Sequence, residues 1–331
     1  YSAGSAPNIT MINEKQIAAA AAQLNRAQCA AIFCHARPDG DALGSGMALC
    51  LAMRAAGKRA FLCCEDPAPE KFSFLPALGG ICNAVPDEQF DTFIAVDSAD
   101  VARLGSLGHA FSRFRGETVN IDHHISNTGY ANINCVCECS ATCELMTEVF
   151  AAADFVITPE IADILMLWLM TDSGSFTHSD VTAHTFSVAA QLRAAGADVT
   201  EINYRMFACQ KKQRALLFRR ALANLRFALD DRLTFILVRS RDLEETGADR
   251  SMTEGFVDYP LTIDGVEVSV SLLEMKPGQY KASLRSKGKA NVNAVASAFG
   301  GGGHVLASGC MLFGEYEEVV ERLTYAVYQH L

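Results

Sequence analysis

The sequence predicts an α/β protein of two domains: a mostly parallel sheet with helices on both faces, a helical linker, and a smaller α/β domain. Three observations predict this fold class. Apolar runs alternate with helical segments in the first half, helical segments dominate from residue 140 to about 229, and alternating strand patterns begin after residue 230. The length of 331 residues agrees with two domains at about 150 residues each. We place the domains at 1–196 and 230–331, with the linker at 197–229.

Composition restricts the class of protein. Half of the residues are hydrophobic and 20% are charged, which argues against disordered, collagen-like and coiled-coil chains. The net charge of -10 argues against a long, sequence-independent grip on duplex nucleic acid, because that grip needs many Lys and Arg contacts to phosphates. A short anionic ligand on a local basic patch remains compatible with this charge.

The chain shows no pattern typical of export or membrane insertion. Its longest apolar stretches are far shorter than the roughly 20 residues of a membrane span. Its start also lacks the succession of basic, apolar and small residues that marks a secretory signal. We therefore expect a cytoplasmic protein without a membrane partner.

Four short apolar runs in the first half predict buried strands, since they are rich in Ile, Val and Phe. They lie at residues 30–35, 60–64, 91–97 and 118–122. A helical segment at 41–56, closed by Gly57, separates the first two runs. This βαβ pattern is typical of a parallel sheet that is covered on both faces.

The remaining elements follow from breakers and from a change in period. Pro159 is placed to start a helix and Gly196 to end one, whereas the charged segment 201–226 has neither residue type and predicts one connector helix. The second domain should then contain strands, a short helix, a glycine loop and a terminal helix. The strands are predicted at 233–239, 266–274 and 279–285, and the helices at 291–299 and from residue 316.

Potential metal ligands follow three of the predicted strands. In an open α/β sheet the ligand crevice lies beyond the carboxyl ends of the strands, so we expect these side chains to meet there. One Asp alone is usually a turn former or a helix N-cap, and Asp41 taken alone could be only that. Seven ligands in a chain with eight His are harder to explain in this way: His35, Asp39, Asp41, Asp97, Asp122, His123 and His124.

Asp172 is a further candidate ligand because it follows nine mainly apolar residues, at the predicted end of a buried helix. A carboxylate there is at the unfavourable end of the helix dipole, and a metal ion would compensate for it. Carboxylates with a minority of imidazoles suit Mn²⁺ or Mg²⁺. Their number suggests two ions that share a bridging carboxylate and a water nucleophile, as in two-metal phosphoester hydrolysis.

The twelve cysteines predict buried free thiols, because they lie mostly in apolar runs of a chain without an export signal. One cluster stands out, at Cys135, Cys137, Cys139 and Cys143. It lacks the paired C-x₂-C spacing of a structural zinc site, and a strand followed by a helix start explains it as well. Its role, including redox sensitivity, stays open.

Two features of the second domain point to an anion, although each has a simpler explanation. Residues 276–290 contain five basic residues and no acidic one, which a solvated hairpin also explains. The glycines of the run at 300–303, before His304, could bring backbone N–H groups close to an anion, or they could form a flexible loop. The basic residues are Lys276, Lys281, Arg285, Lys287 and Lys289.

These motifs resemble the DHH phosphoesterase superfamily, whose name is the triplet at 122–124. The similarity lies in HARPDGDALGS at 35–45, VDSAD at 96–100, IDHHISN at 121–127 and TDSGSF at 171–176. The second domain resembles the associated DHHA1 domain through SLRSKG at 283–288 and GGGGHVLASG at 300–309. Together they cover nearly the whole chain, in the arrangement of the nanoRNase/pAp-phosphatase branch.

The resemblance implies a cofactor of two Mn²⁺ ions, with Mg²⁺ or Co²⁺ as possible substitutes, and a role for each candidate residue. One ion would bind His35, Asp39 and Asp97, and the other would bind Asp41, Asp97, His123 and Asp172. Asp97 would be the bridge, Asp122 would orient a histidine, and His124 would face the scissile phosphate, as hydrogen-bond donor or as proton donor to the leaving group. The terminal phosphate or base would contact Arg285, Ser286, Lys287, Gly302, Gly303 and His304.

The function implied by the resemblance is a manganese-dependent exoribonuclease. It would hydrolyse very short oligonucleotides, such as linear pApA or pGpG, to mononucleotides by attack of a two-metal hydroxide in a cleft between the domains. We expect a homodimer that does not bind long nucleic acid. The alternatives are a 3′-phosphoadenosine 5′-phosphate (pAp) phosphatase, a cyclic dinucleotide phosphodiesterase such as one for cyclic di-AMP, an inorganic pyrophosphatase and a non-enzymatic nucleotide-binding module. Base preference stays open.

Overall fold

The computed structural model describes residues 13–69, 72 and 74–331. The chain divides into two compact units, Tyr1–Met206 and Phe207–Leu331, and each is described by itself. Residues 1–12 of the predicted first domain lie outside the described part of the chain. Among the described residues, no helix combines the length and the apolar character needed to cross a membrane.

The first unit contains a sheet of five parallel strands in the order β2-β1-β3-β4-β5. The first four strands coincide with the predicted apolar runs, whereas the fifth, in the region of the cysteine cluster, was not among them. The strands are β1 (Cys29–Phe33), β2 (Arg59–Cys63), β3 (Thr92–Val96), β4 (Glu117–Asp122) and β5 (Ile133–Val136).

Helices cover both faces of this sheet, as predicted. One face packs against α1, α2, α4 and α5 in the largest apolar core. The other face has a smaller core around Phe33, Phe93 and Phe111, next to a 3₁₀ helix at Val101–Leu107. The helices of this unit are α1 (Glu14–Arg26), α2 (Gly40–Ala55), α3 (Gly108–Arg113), α4 (Thr142–Ala152), α5 (Pro159–Asp172), α6 (Ala183–Ala194) and α7 (Val199–Asn203).

Two glycines allow α2 and α5 to approach closely. Gly40 and Gly44 lie one turn apart on α2, and a Cβ atom added at either would overlap the indole of Trp168 on α5. Trp168 is itself fully buried and packs edge to face against Phe72. This contact brings the start of α2 and the last turns of α5 together.

The predicted connector helix over 201–226 is wrong. After α7 the chain forms one π-helical turn at Tyr204–Ala208, leaves helical geometry at residues 209–211, and resumes as α8 (Lys212–Ala223). Helix propensity is a weak guide because packing overrides it. Here α7 buries Ile202 in the core of the first unit, while α8 buries Leu217 and Ala221 in a core of the second.

The second unit contains a mixed sheet of six strands, in the order β10-β11-β9-β8-β7-β6. The β7/β8 pair is parallel and the other pairs are antiparallel. The strands are β6 (Arg226–Ala228), β7 (Leu233–Val238), β8 (Val268–Lys276), β9 (Gln279–Ser286), β10 (Gly302–Gly303) and β11 (Ala307–Phe313). The helices are α9 (Ser240–Thr246), α10 (Val292–Ser297) and α11 (Tyr316–Tyr328).

One face of this sheet packs against α10 and α11, and part of the other packs against α8 and α9. The three predicted strands are present as β7, β8 and β9. The predicted glycine loop contains an edge strand, β10. Strand β11 was not predicted, because the small residues in its sequence ASGCMLF hide the alternation of apolar and polar positions.

We expect Gly44→Ala to destabilise the first unit. Alanine ordinarily stabilises a helix interior relative to glycine. Here the new methyl group would displace the Trp168 ring, and such overpacking costs about 1–3 kcal/mol. The measurement is denaturant unfolding followed by tryptophan fluorescence, since Trp168 is the one tryptophan of the chain. Gly79→Ala is the matched control, because a Cβ at Gly79 meets no atom within 4 Å. Equal stability of the two variants would contradict the close α2/α5 contact.

Candidate functional site

The ends of five elements of the first unit carry the candidate metal ligands. His35 lies just after β1, Asp97 just after β3, and β4 ends in Asp122, followed directly by His123 and His124. Asp39 is the N-cap of α2 and accepts a hydrogen bond from Ala42 N at 3.1 Å. Asp41 lies in the first turn of α2, and Asp172 is the last residue of α5. Asp41 is therefore not the N-cap that a turn pattern alone would suggest.

One group of ligand atoms lies around His35. The Nε2 atom of His35 is 3.4 Å from Asp39 Oδ2 and 3.7 Å from Asp97 Oδ2. Ligand atoms of these three residues all lie within 4.8 Å of one another, a spacing that one ion could bridge.

A second group lies around His123. Ligand atoms of Asp41, His123 and Asp172 also lie within 4.8 Å of one another. The Nε2 atom of His123 is 3.5 Å from Asp97 Oδ1. Asp97 thus directs one carboxylate oxygen to each group, as a bridging ligand would.

Backbone carbonyls orient both of these imidazoles. His35 Nδ1 is 2.9 Å from Ala36 O, and His123 Nδ1 is 3.0 Å from Cys139 O. A carbonyl oxygen only accepts hydrogen bonds, so in each ring Nδ1 carries the proton and, in the neutral ring, Nε2 presents a lone pair to the carboxylates. His35 Nε2 is buried without a hydrogen-bond partner in the described part of the chain. Buried polar atoms are seldom left in this state, and a metal ion would satisfy it.

The carboxylates of the site repel one another in a buried environment. Burial, with the charges of Asp41, Asp39 and Asp97, raises the pKa of Asp172 to about 8. Burial and a neighbouring carboxylate also raise the pKa values of Asp41 and Asp97. Divalent cations would reverse this repulsion. An oxygen-rich set with a minority of imidazoles fits Mn²⁺ or Mg²⁺, so the residues present fit the metal ions that the motifs predict.

Two residues of the site have backbone conformations that are uncommon for non-glycine residues. Asp97 has φ 53° and Arg37, between His35 and Asp39, has φ 52°. Such conformations cost of order 1–3 kcal/mol and persist where the surroundings fix them. Asp97 N donates to Ile121 O at 3.0 Å, and Arg37 N donates to Asp66 Oδ2 at 2.7 Å. These bonds hold both turns at the edge of the sheet.

Asp122 orients the His124 ring through a hydrogen bond to Nδ1. It is fully buried, and its Oδ1 lies 2.7 Å from His124 Nδ1. Its Oδ2 accepts a hydrogen bond from Asn127 Nδ2 at 2.6 Å, and the same amide donates to Asn120 Oδ1 at 2.7 Å. Because an ionised carboxylate only accepts, His124 donates from Nδ1 and leaves Nε2 for another partner.

The N-terminus of α4 contacts two of the carboxylates. The backbone N–H groups of Thr142 and Cys143 donate to the two oxygens of Asp41, at 2.5 and 3.0 Å. The hydroxyl of Thr142 donates to Asp97 Oδ1 at 3.0 Å. These bonds fix Asp41 and Asp97 while leaving lone pairs for other ligands.

Sequence reasoning missed both Thr142 and Asn127. A signal for Thr142 was available, since Ser140 precedes the helix and Glu144 lies four residues later, a pattern close to a capping box. In the structure Ser140 N donates to Glu144 Oε2 at 3.2 Å. Asn127 ends the segment IDHHISN at 121–127, which carries part of the resemblance, but no local pattern assigns it a contact with Asp122.

The candidate substrate-binding residues of the second unit do not share one surface. Arg285 and Ser286 are neighbours on β9 and therefore face opposite sides of the sheet. Arg285 Nε lies 3.2 Å from Asp258 Oδ1. The buried hydroxyl of Ser286 accepts from Gly288 N and Ala290 N, at 3.0 and 3.3 Å, so it shapes the following turn. Lys287 Nζ donates to Ile263 O at 3.4 Å.

The glycine run has a steric explanation in the structure. A Cβ atom at Gly301 would overlap Gly309 O, and one at Gly303, whose φ is 143°, would lie 2.6 Å from Ala307 O. The run therefore allows the edge strand, which contains Gly302 and Gly303, to pair with β11. His304 is exposed and closes a tight turn with Ala307 through two backbone hydrogen bonds of 2.7 and 3.2 Å.

The twelve cysteines are all free, and most are buried. Within the described residues, no group with metal-binding geometry includes a cysteine. Cys135 lies on β5 and Cys143 in the first turn of α4, which is the strand and helix start that also explains the spacing.

Two known domain families match this chain. The DHH family, N-terminal domain, matches residues 30–167, and the DHHA1 domain matches residues 233–330. The first match includes nearly all of the sheet of the first unit and every candidate ligand except Asp172. The second match includes five of the six strands of the second unit, since β6 lies before residue 233.

Similar proteins cover nearly the full length. The chain is 30% identical over 305 residues to the bifunctional oligoribonuclease and PAP phosphatase NrnA of Thermus thermophilus, covering 91% of this chain and 89% of that protein. It is 27% identical to the protein of the same description from Mycoplasma genitalium, covering 85% and 87%. The crystal structure of an exopolyphosphatase-related protein from Bacteroides fragilis has 26% identity and a TM-score of 0.83, covering 96% and 97%.

We expect Mn²⁺ to stabilise the metal-free protein through these ligands. A ligand that binds only the folded state at 100 times its dissociation constant adds about 2.7 kcal/mol of stability. The melting temperature of chelator-treated protein should therefore rise on addition of Mn²⁺, and Asp97→Asn should remove most of this rise. Asp154→Asn is the control, because Asp154 is exposed and has a left-handed conformation that Asn tolerates. An equal Mn²⁺ response of the Asp97→Asn protein would contradict the bridging position.

We also expect Thr142→Val to weaken Mn²⁺ binding by about 10-fold or more, the usual cost of removing a hydrogen bond that orients a metal ligand. Thr142→Ser should restore most of the affinity, because it keeps the hydroxyl that reaches Asp97. The measurement is calorimetric titration of metal-free protein. Thr147→Val is the matched control, since this buried hydroxyl on the same helix bonds Cys143 O. Similar losses for both valine variants would argue that Thr142 only supports the fold.

Proposed function

Since the chain belongs to the DHH/DHHA1 phosphoesterases, in their NrnA-like branch, and is a metal-dependent phosphoesterase, we propose that it hydrolyses very short oligonucleotides to mononucleotides. Linear dinucleotides such as pApA or pGpG are the proposed preferred substrates. The observation that carries this proposal is the position of Asp97, with one carboxylate oxygen 3.7 Å from His35 Nε2 and the other 3.5 Å from His123 Nε2. Two neighbouring cation sites that share a carboxylate suit hydrolysis of a phosphoester.

We propose two Mn²⁺ ions as the resident cofactor. His35, Asp39 and Asp97 would hold one ion, and Asp41, Asp97, His123 and Asp172 would hold the other. When bound, divalent ions of this kind activate water and neutralise charge on phosphoryl oxygens. The carbonyls of Ala36 and Cys139 keep the two imidazoles in the tautomer that such ligands need.

His124 is the proposed contact to the scissile phosphate. Its Nδ1 is engaged by Asp122, so Nε2 is the atom that is left for the substrate. From Nε2 a protonated ring would donate a hydrogen bond to a nonbridging oxygen, or pass its proton to the leaving oxygen. Asn127 keeps Asp122 in position and thereby limits rotation of the ring.

The second unit would supply substrate binding in this proposal. Arg285 offers a partly exposed guanidinium, and exposed Lys287 and His304 lie on loops of the same unit. A net charge of -10 repels a long polyanion, whereas a dinucleotide needs only a local basic surface. The homodimer, the cytoplasmic location and the cleft between the domains stay predictions.

A second candidate activity is removal of the 3′-phosphate of pAp. The names of the similar proteins from Thermus thermophilus and Mycoplasma genitalium, which pair oligoribonuclease with PAP phosphatase, favour it. Hydrolysis of a monoester and of a diester makes the same demand on the metal ligands, so both activities are compatible with one site.

A substrate panel tests the proposal. With Mn²⁺, we expect kcat/KM to be highest for linear pApA, lower for pAp and cyclic di-AMP, and lowest for a 24-mer and pyrophosphate. Arg285→Ala should mainly raise KM, because it removes a binding contact, whereas Asp97→Asn should abolish turnover.

Faster turnover of the 24-mer than of pApA would overturn the preference for short substrates. Full activity of the Asp97→Asn protein would instead favour a non-enzymatic nucleotide-binding module whose preparation contains another phosphoesterase.

A further inference from the structure

A pocket of about 470 Å³ lies on one face of the sheet of the second unit. Strands β8 and β9 form its floor, and the 3₁₀ helix at Arg250–Thr253 and the residues after it form a wall. The face behind it packs against α10 and α11 in an apolar core. This pocket therefore occupies the side of the sheet that α10 and α11 leave uncovered.

The alternation of β9 gives the pocket its chemistry. Lys281, Ser283 and Arg285 alternate with Ala282 and Leu284, which are fully buried on the opposite face. In the ladder with β8, Ser283 lies opposite Ser271. A sheet face that is partly sheltered usually carries apolar side chains, whereas this strip carries two cations and two hydroxyls.

The positive charge of the pocket is only partly neutralised within the protein. Arg285 pairs with Asp258 at 3.2 Å, and Glu254 is an acidic residue of the lining. Among the described residues, Lys281 forms no ion pair and the Arg250 side chain donates only to the uncharged carbonyl of Met275, at 3.0 Å. Two cations of one pocket, Lys281 on its floor and Arg250 on its wall, are therefore available to an anion.

Serine hydroxyls add donors beside these cations. Ser271 and Ser283 line the pocket, and their hydroxyls form no hydrogen bond within the described part of the chain. Ser269, on the same face of β8 and opposite Arg285, is fully buried with an unpartnered Oγ. A bound phosphate would accept hydrogen bonds from the two hydroxyls that line the pocket, in place of water.

We propose that this pocket binds the terminal phosphomonoester of the nucleotide substrate, with Lys281 and Arg250 as its charged contacts. The inference rests on the proposed function and names the feature that this surface recognises. A terminal phosphate carries a charge between about −1.5 and −2 near neutral pH, more than the single charge of an internal phosphodiester. Two cations flanking a small polar pocket therefore select the end of a chain, and a nucleoside without a phosphate gains nothing from them.

The first test compares pApA with its dephosphorylated form, ApA. The unmodified protein should have a lower KM for pApA. In the Lys281→Gln/Arg250→Gln protein the ratio of kcat/KM for pApA to kcat/KM for ApA should fall about 10-fold or more, the usual effect of losing charged hydrogen bonds. Lys276→Gln is the matched control. Lys276 is exposed and is the last residue of β8, next to the turn into β9, but it does not line the pocket.

The second test measures binding without catalysis. Metal-free full-length protein is titrated calorimetrically with 5′-AMP and with adenosine, so that the metal ions of the first unit do not contribute. We expect 5′-AMP to bind the unmodified and Lys276→Gln proteins more tightly than adenosine, and this difference to vanish in the double variant. Circular dichroism melts establish that each variant is folded, and the single Lys281→Gln variant repeats the test if the double variant is not.

The two tests separate the inference from the proposed function. Loss of dinucleotide hydrolysis with intact, Lys281-dependent binding of 5′-AMP would overturn the proposed substrate and leave the phosphate pocket standing. An undiminished preference for pApA and for 5′-AMP in the double variant would overturn the pocket and leave the nuclease standing.

Discussion

The repulsion among four carboxylates, Asp39, Asp41, Asp97 and Asp172, is the constraint on which the first unit depends. Asp41, Asp97 and Asp172 lie at ends of elements that are otherwise apolar. Their charged forms are stable there only if cations or fixed dipoles compensate for the negative charge. The surrounding structure acts to hold them close in spite of this repulsion. The Trp168 contact with Gly40 and Gly44 keeps two helices together, and a left-handed turn at Asp97 directs its carboxylate back across the edge of the sheet.

Helix ends of opposite polarity meet at this site. The N-terminus of α4 brings partial positive charge and two N–H donors to Asp41, which compensates part of its charge within the protein. Asp172 lies at the C-terminus of α5, where the dipole is unfavourable for a negative charge. Burial, with the charges of three neighbouring carboxylates, raises its pKa to about 8. The pKa of Asp41 is nevertheless raised by burial and by Asp97, so both carboxylates need a cation for their charged forms. This need favours a site that is complete only with its metal ions.

The sequence predicted what local pattern encodes and missed what distant partners determine. Apolar runs and the polar residues after them identified four strands and seven candidate ligands, because periodicity and strand ends are local. Thr142 was missed because its meaning depends on Asp41, 101 residues earlier in the chain. The prediction of a single connector helix was wrong, because packing against two different cores determines where α7 and α8 end. Arg285 and Ser286 face opposite sides of β9, as neighbours on a strand do, and their contact with the substrate stays a prediction.

The chemistry of the two units also differs in burial, and this difference suits their proposed roles. The candidate ligands of the first unit are buried or half-buried except for Asp39, and backbone hydrogen bonds orient several of them, as ions with fixed coordination require. The cations of the second unit are largely exposed, and exposed charge pairs contribute only about 0–1 kcal/mol each. A surface of this kind binds a phosphate weakly and releases it quickly. An enzyme whose product, a mononucleotide, keeps the terminal phosphate of its substrate needs such weakness, because a tight phosphate site would retain the product after every turnover.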